Sequence, residues 1–261
     1  MPDESSRRVD VLGVHVSAVD PDLALAAVTS WIEQQRREYV CVTGVHGVME
    51  SQGDDVLRDI HNRSGLTVPD GMPLVWCAHR AGFRAVARVY GPDLMLAVLG
   101  RAAERGWRSY FYGGADGVPT ALAEAMVARF PGLIVVGAES PPFRALTLQE
   151  SLATDARINA AAPDLVWVGL STPKQERWMA AHRPTLHAAA LLGVGAAFDF
   201  HTGRIRQAPS WMQARGLEWA FRLAVEPRRL WRRYLRNNPR FVAAVVRRPP
   251  VPVTSQGPPA A

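Results

Sequence analysis

The chain has 261 residues, enough for one large domain with a substantial buried core. Hydrophobic residues make up 48% of it and charged residues 21%, proportions that exclude a disordered protein. No uncharged run is long enough to span a bilayer, and the first ten residues lack the apolar segment of a secretory signal. Cys41 and Cys77 lie far apart without metal-ligand or redox spacing, so we expect a cytoplasmic protein without disulfides or metal.

The net charge of +6 is distributed unevenly along the chain. Residues 204–248 contain twelve arginines against two acids, a charge of +10, which leaves −4 for the rest of the chain. A segment this basic favours an anionic partner, which is a membrane surface, a nucleic acid or a phosphorylated ligand.

Strand patterns and helix patterns alternate over the first two hundred residues. The predicted strands cover residues 9–16, 39–43, 66–68, 108–112, 133–137, 164–169 and 188–194. The predicted helices between them cover residues 23–31, 45–63, 74–81, 94–105, 118–130, 148–161 and 176–182. This alternation predicts an α/β, Rossmann-like fold, a mostly parallel sheet with helices on both faces.

Three segments are expected on this pattern. We expect residues 1–203 to form an α/β domain and residues 204–248 to form a basic helical C-terminal appendage. Residues 249–261, rich in proline, are expected to be a disordered tail.

Polar or glycine-rich turns follow four of the predicted strands: Thr43, Asp70, Gly113–Gly114 and Thr172–Glu176. Asp70 alone is interpreted more simply as the cap of the next helix. Gly113 and Gly114 bring backbone N–H groups near a phosphate, or merely form a tight turn. Because the carboxyl ends of parallel strands meet at one edge, their convergence predicts a ligand site there.

Lys174 is the single lysine among 30 basic residues. It lies in one of these strand-end loops, where a compact ammonium group differs in use from a planar guanidinium. Chance is the other explanation.

The basic C-terminal segment contains arginines on one helical face: Arg229, Arg232, Arg233 and Arg236. Trp231 and Tyr234 lie beside them, a pattern typical of a helix at a membrane interface. The alternative is a solvated basic face.

Six sequence blocks between residues 69 and 222 resemble the WecG/TagA/CpsF glycosyltransferase family, and the whole resemblance covers roughly residues 9–234 in order. They are Pro69-Asp70-Gly71, Arg88-Val89-Tyr90-Gly91-Pro92-Asp93-Leu94, Phe111-Tyr112-Gly113-Gly114, Gly169-Leu170-Ser171-Thr172-Pro173-Lys174-Gln175-Glu176, Gly193-Val194-Gly195-Ala196-Ala197-Phe198-Asp199-Phe200 and Gly216-Leu217-Glu218-Trp219-Ala220-Phe221-Arg222.

The resemblance implies an inverting, metal-independent enzyme of cell-surface polysaccharide synthesis, peripheral on the inner face of the plasma membrane. It would move N-acetylmannosamine or a related hexose from a UDP-sugar to a polyprenyl-diphosphate-linked acceptor. The implied partners are this donor, this acceptor and an anionic membrane surface, with no cofactor and no nucleic acid. A second copy of the chain, in a homo-oligomer, is a further candidate partner.

The resemblance also implies that residues 1–203 are the catalytic domain and that residues 204–248 bind the membrane or close over the active site as a lid. It further implies roles for individual residues. Asp70 would be the general base, and Thr43 and Gln175 would line the donor pocket beside it. The expected substrate-binding residues are Arg88 for the diphosphate, Asp199 for the uridine, the strand-end Gly113, Gly114 and Lys174, and Arg215, Arg222 and Arg228 from the appendage.

Two departures from the family pattern concern substrate recognition. The family usually carries Thr-x-Asn after the second strand, where this chain has Thr43-Gly44-Val45-His46. His46 either replaces the asparagine or is a capping or packing residue. The family's Gly-Tyr-Phe loop is here Ser140-Pro141-Pro142-Phe143.

Two other functions fit parts of the sequence. A Rossmann-like oxidoreductase would share the fold, but residues 9–16 are not followed by its G-x-G-x-x-G turn. A nucleic-acid-binding protein would explain the arginines, but not an acidic body with polar loops at one sheet edge.

Overall fold

Strands and helices alternate along most of the chain in a computed structural model, which describes residues 7–253 apart from the side chains of Ser210, Ala214, Arg229 and Arg233. The strands are β1 (Arg8–Val11), β2 (Val14–Ser17), β3 (Glu38–Thr43), β4 (Leu66–Pro69), β5 (Arg108–Gly113), β6 (Ile134–Glu139), β7 (Leu165–Gly169), β8 (Ala190–Gly193) and β9 (Val251–Pro252). The helices are α1 (Pro21–Glu33), α2 (Val45–Glu50), α3 (Asp55–Arg63), α4 (Met72–Arg80), α5 (Gly91–Arg105), α6 (Val118–Arg129), α7 (Leu148–Ala160), α8 (Lys174–His182), α9 (Ala197–His201), α10 (Ser210–Ala214), α11 (Glu218–Val225) and α12 (Pro227–Arg247).

The main sheet is parallel and has the strand order β4-β3-β8-β7-β5-β6. Strands β4, β7 and β8 are buried along almost their whole length, because helices cover both faces of the sheet. Helices α1, α5 and α6 pack on one face, and helices α3, α7 and α8 pack on the other. The predicted α/β, Rossmann-like fold is confirmed.

The predicted strand over residues 9–16 is wrong in both extent and place. It is a hairpin of β1 and β2, with Leu12 at φ 56° and Gly13 at φ 89° in the turn. Two successive positive φ angles match the twist of antiparallel strands, but leucine seldom adopts one, so the sequence pattern missed the turn. The hairpin joins β9 in a separate antiparallel sheet.

The single helix predicted over residues 45–63 is two helices, α2 and α3. The side chain of Asp54 ends the intervening turn, because its carboxylate accepts the Leu57 N–H at 3.0 Å and caps α3. Asp54 therefore has a capping role that the helical periodicity alone concealed.

The disorder predicted from residue 249 is wrong at Val251 and Pro252, which form β9. Val251 pairs with Asp10 and Pro252 with Val9, at an edge of the small sheet where proline is tolerated. Residues 254–261 of the predicted tail lie outside the described part of the chain. The division between residues 1–203 and 204–248 remains a prediction.

Helix α12 has three different faces. One is buried and includes Leu230 and Phe241. A second is exposed and apolar, with residues at spacings of four, seven and four: Trp231, Leu235, Val242 and Val246. A third carries the exposed side chains of Arg232 and Arg236. Within residues 7–253, no helix has the length and apolar character needed to cross a bilayer.

Candidate active site

A cleft of about 690 Å³ opens at the carboxyl edge of the main sheet. The chain runs from β3 outward to β4 and then crosses to β5, beyond β8 and β7, so strands distant in sequence are neighbours in the sheet. Open α/β sheets bind their ligands at the carboxyl ends of the strands. Residues that follow β3, β4, β7 and β8 line one side of the cleft, and residues of α10, α11 and α12 line the other.

Asp70 lies directly after β4 and lines this cleft. Its backbone N–H donates to the Thr43 carbonyl at 2.9 Å, which fixes the turn against the neighbouring strand β3. Its carboxylate accepts the Gly91 N–H at 3.2 Å, whereas α4 has Gly71 as its N-cap and no side-chain cap. Asp70 is therefore not a simple cap of the helix that follows it.

Arg88 connects Asp70 to the helices across the cleft. Its Nε donates to the Asp70 carbonyl, and one terminal nitrogen donates to Gln213 Oε1 at 3.2 Å. The other terminal nitrogen forms an ion pair with Glu218, and both side chains are mostly buried. The guanidinium also lies 4.0 Å from the ring centroid of Tyr90, at cation–π distance.

The environment of Asp70 raises the pKa of its carboxyl group to about 6. Burial is the largest cause, because it disfavours the charged form, and the nearby charge of Glu218 acts in the same direction. Arg88, the Gly91 N–H and Arg222 oppose the shift. A carboxyl group with this pKa is a base at neutral pH and still has appreciable affinity for a proton.

Thr43 and Gln175 lie near the floor of the cleft, and both side chains are 2% exposed. The Gln175 amide donates to Gly193 O at 3.1 Å and to Glu176 Oε1 at 3.2 Å. Among the described residues, neither Thr43 Oγ1 nor Gln175 Oε1 has a hydrogen-bond partner. Gln175 lines the cleft directly, whereas Thr43 lies beneath its surface.

Glu176 is a buried acid next to Gln175 that the sequence pattern did not single out. Its Oε1 accepts the Thr172 hydroxyl at 2.8 Å and the Gln175 amide, so it orders the loop after β7. Burial raises the pKa of Glu176. Its signal in the sequence was weak, because an acid in the first turn of a helix is explained equally well by the helix dipole.

Three other predicted residues line the cleft: Asp199, Arg215 and Arg222. Asp199 Oδ1 lies 3.6 Å from Arg204 Nε. The guanidinium of Arg222 lies 5.6 Å from the ring centroid of Phe200, and that of Arg215 lies 5.8 Å from Trp211. Together with Asp70, Arg88 and Gln175, they make six predicted residues that the fold brings together.

Besides Thr43, four predicted residues do not line the cleft: Gly113, Gly114, Lys174 and Arg228. A Cβ at Gly113 would lie 2.7 Å from the backbone of Gly169 on β7, so close strand packing explains that glycine. Gly114, at φ 73°, packs in the same way against Val118. Lys174 Nζ lies 5.1 Å from the ring centroid of Phe143.

The cleft also contains groups that the sequence analysis left without a role, notably Gln213, Glu218 and Asn237. They lie in the C-terminal helices, whose position over the cleft is a long-range feature of the fold. One signal was present for Glu218, because it is one of only two acids among the twelve arginines of residues 204–248.

Comparison with known proteins decides the family. The model of the glycosyl transferase WecG/TagA/CpsF family matches residues 9–252. The chain belongs to this family. The resemblance seen in the six sequence blocks is thus confirmed, and so is the expectation of a glycosyltransferase.

Two Bacillus proteins are similar to this chain over most of their own length. Both are named N-acetylglucosaminyldiphosphoundecaprenol N-acetyl-beta-D-mannosaminyltransferase. The protein of Bacillus spizizenii is 27% identical over 219 residues, which cover 84% of this chain and 82% of the relative. The protein of Bacillus subtilis is 27% identical over 236 residues, which cover 90% of this chain and 80% of the relative.

His46, beside the position where the family usually carries an asparagine, lines the cleft. Its Nδ1 lies 3.2 Å from the amide nitrogen of Asn237 and 3.5 Å from Glu50 Oε1. Asn237, 8% exposed on α12, brings an amide group to this part of the cleft from a distant segment.

In the described part of the chain, no three His, Cys, Asp or Glu side chains form a group that would hold a metal ion.

Replacing Glu218 with glutamine should lower the pKa of Asp70. The substitution removes a negative charge that raises this pKa and leaves Arg88 without its ion-pair partner. We expect the titration midpoint of the Asp70 carboxyl carbon, followed by ¹³C NMR, to fall below that of the unmodified protein. The matched control is Glu104→Gln, at an exposed position outside the cleft. An unchanged or higher midpoint in Glu218→Gln would contradict this electrostatic description.

Proposed function

We propose that the protein is an inverting glycosyltransferase that uses a UDP-sugar donor and a polyprenyl-diphosphate-linked sugar acceptor. The donor sugar is N-acetylmannosamine or a related hexose, and the product belongs to cell-surface polysaccharide synthesis. Family membership supports the transferase function over an oxidoreductase or a nucleic-acid-binding protein. The names of the two Bacillus relatives support the lipid-linked acceptor and the N-acetylmannosaminyl donor.

The observation that carries the proposal is Asp70, a carboxylate with a pKa of about 6 that lines a cleft beside arginines. In the proposed reaction, the acceptor hydroxyl oxygen bonds to the anomeric carbon while Asp70 takes the hydroxyl proton. The bond between that carbon and the diphosphate oxygen breaks, and UDP leaves with the electron pair. A single base opposite the leaving group is sufficient for inversion.

The arginines of the cleft would neutralise the departing diphosphate. A guanidinium binds phosphate oxygens through two parallel N–H groups, and Arg88, Arg215 and Arg222 all line the cleft. Arg88 is already paired with Glu218, so a diphosphate at Arg88 must replace that carboxylate. We infer that donor binding exchanges Glu218 for phosphate at Arg88.

The floor of the cleft is suited to hydrogen bonding with the donor. Buried polar atoms without a partner are costly, and Gln175 Oε1 is such an atom within the described residues. A hydroxyl or amide N–H of the donor would satisfy it. Asp199, which is 33% exposed, remains the proposed ligand of the uridine.

The Asp70→Asn variant should reduce sugar transfer by about a hundredfold or more, because asparagine cannot accept the acceptor proton. UDP binding should change little, since asparagine retains the size of the side chain. In the unmodified enzyme, kcat/KM should rise as the pH increases through about 6, where Asp70 loses its proton. Rates come from radiolabelled sugar transfer, and binding from calorimetry.

The control is Asp59→Asn, which removes the same charge from an exposed position on α3. Unchanged transfer in Asp70→Asn, at full UDP binding, would assign the base to another residue. A loss of UDP binding together with transfer would make Asp70 a donor ligand.

We also propose that α12 binds the inner face of the plasma membrane. Its exposed apolar face and the exposed Arg232 and Arg236 suit a helix that lies in the headgroup region of anionic lipid. The lipid-linked acceptor requires this location, because the sugar to be extended is held at the bilayer surface.

Reversing the charge of Arg232 and Arg236 together, by substitution with glutamate, should weaken sedimentation with vesicles of anionic phospholipid. Each arginine near such a surface contributes about 1 kcal/mol, so the double variant should lose binding at least tenfold. The control is the double variant Arg63→Glu and Arg129→Glu, which makes the same change in net charge at exposed sites on α3 and α6. If both double variants lost vesicle binding equally, the binding would depend on the net charge of the protein, and the proposed role of α12 would be wrong.

A further inference from the structure

The cleft has a polar part and an apolar part. The polar part contains Asp70, Arg88 and Glu218, which form the hydrogen-bond and ion-pair network described above. The apolar part is lined by side chains of α4 and α12: Trp76, Cys77, Phe241, Val242, Val245 and Val246. The two parts belong to one continuous cavity of about 690 Å³, so one ligand can occupy both.

Helix α4 leads from one part to the other. It begins immediately after Asp70-Gly71, and its cleft-lining residues continue through Trp76 to Arg80. At 1.5 Å per residue, the nine residues of α4 extend roughly 13 Å away from the proposed base. Helix α12 lines the cleft from Tyr234 to Val246, roughly 18 Å on the same scale. Its lining is polar at Asn237 and Asn238, and it is apolar from Phe241 to Val246.

The apolar part opens to the surface at its far end. Val242 and Val246 line the cleft and are still 60% and 73% exposed, and Trp76 is 54% exposed. Exposed apolar groups this close together are unfavourable in water and are stabilised when a ligand covers them. Arg80, exposed at the same end of α4, is placed to hold its guanidinium among lipid head groups.

We propose that this apolar part is a binding site for the polyprenyl chain of the acceptor. The inference rests on the proposed function, and it assigns the part of the acceptor that the catalytic network does not contact. The acceptor is an amphiphile whose diphosphate needs cations and whose chain needs apolar surface, and the cleft offers both in that order. The chain would run between α4 and α12 and leave at Val246, where α12 presents its exposed apolar face.

The test compares two acceptors that share an N-acetylglucosaminyl diphosphate head group, one with a full polyprenyl chain and one with a short alkyl chain. The double variant Val242→Ser with Val246→Ser, called the groove variant below, makes the apolar part of the cleft more polar. The control is Val56→Ser with Val127→Ser, at exposed valines of α3 and α6 outside the cleft. All proteins are assayed in detergent micelles, so that membrane docking does not contribute.

The groove variant should lose about tenfold in kcat/KM for the polyprenyl acceptor, because two apolar contacts are removed, and little for the short-chain acceptor. The control should retain the chain-length preference of the unmodified enzyme. Equal losses for both acceptors, or no loss for either, would overturn the proposal.

Binding of polyprenyl diphosphate without any donor separates this inference from the proposed function. If no sugar is transferred to either acceptor, the proposed function fails. The proposed polyprenyl-binding site is still supported if the polyprenyl diphosphate binds more tightly than the short-chain diphosphate and the groove variant loses that difference. If light scattering finds instead that the valine substitutions dissociate a dimer and leave chain-length preference unchanged, the groove is an interface between two copies.

Discussion

The contacts of one guanidinium hold the active site together. Arg88 donates to the Asp70 backbone, to Gln213 and to Glu218, and it lies over the ring of Tyr90. Asp70 follows β4 and Arg88 precedes α5, whereas Gln213 and Glu218 lie in α10 and α11. Because these buried charges depend on one another, the geometry of Asp70 and the position of the C-terminal helices are coupled.

The coupling between Asp70, Arg88 and the C-terminal helices sets the pKa of the Asp70 carboxyl group. Glu218 and burial raise the pKa of Asp70, while Arg88 and Arg222 restrain the rise, so the net pKa of about 6 depends on residues from both parts of the chain. A diphosphate that takes the place of Glu218 would change the charge around Asp70 at the moment the donor binds. The same C-terminal helices carry the apolar part of the cleft, so we propose that one segment acts on the base, the leaving group and the lipid chain of the acceptor.

The sheet and its active edge were predictable because they follow from local patterns. Buried β-branched segments alternate with amphipathic helices, and the carboxyl ends of parallel strands must share an edge, which brought Asp70 and Gln175 together. Long-range contacts were not predictable in this way. Glu218 lies 130 residues from Arg88, and no periodicity links them. For Gly113 the sequence left a phosphate loop and a tight turn open. The backbone of Gly169, in a neighbouring strand, explains why residue 113 lacks a side chain, and no local pattern reveals that contact.

We propose above that the enzyme transfers a sugar with inversion to a lipid-linked acceptor. The most direct measurement is the structure of the product formed from UDP-N-acetylmannosamine and N-acetylglucosaminyl diphosphate on a polyprenyl chain, by mass spectrometry and NMR. We expect a lipid-linked disaccharide whose new linkage has the anomeric configuration opposite to that of the donor. A product with retained configuration would contradict the single-base mechanism, and free sugar or unreacted acceptor with every UDP-sugar tested would contradict the transferase function itself.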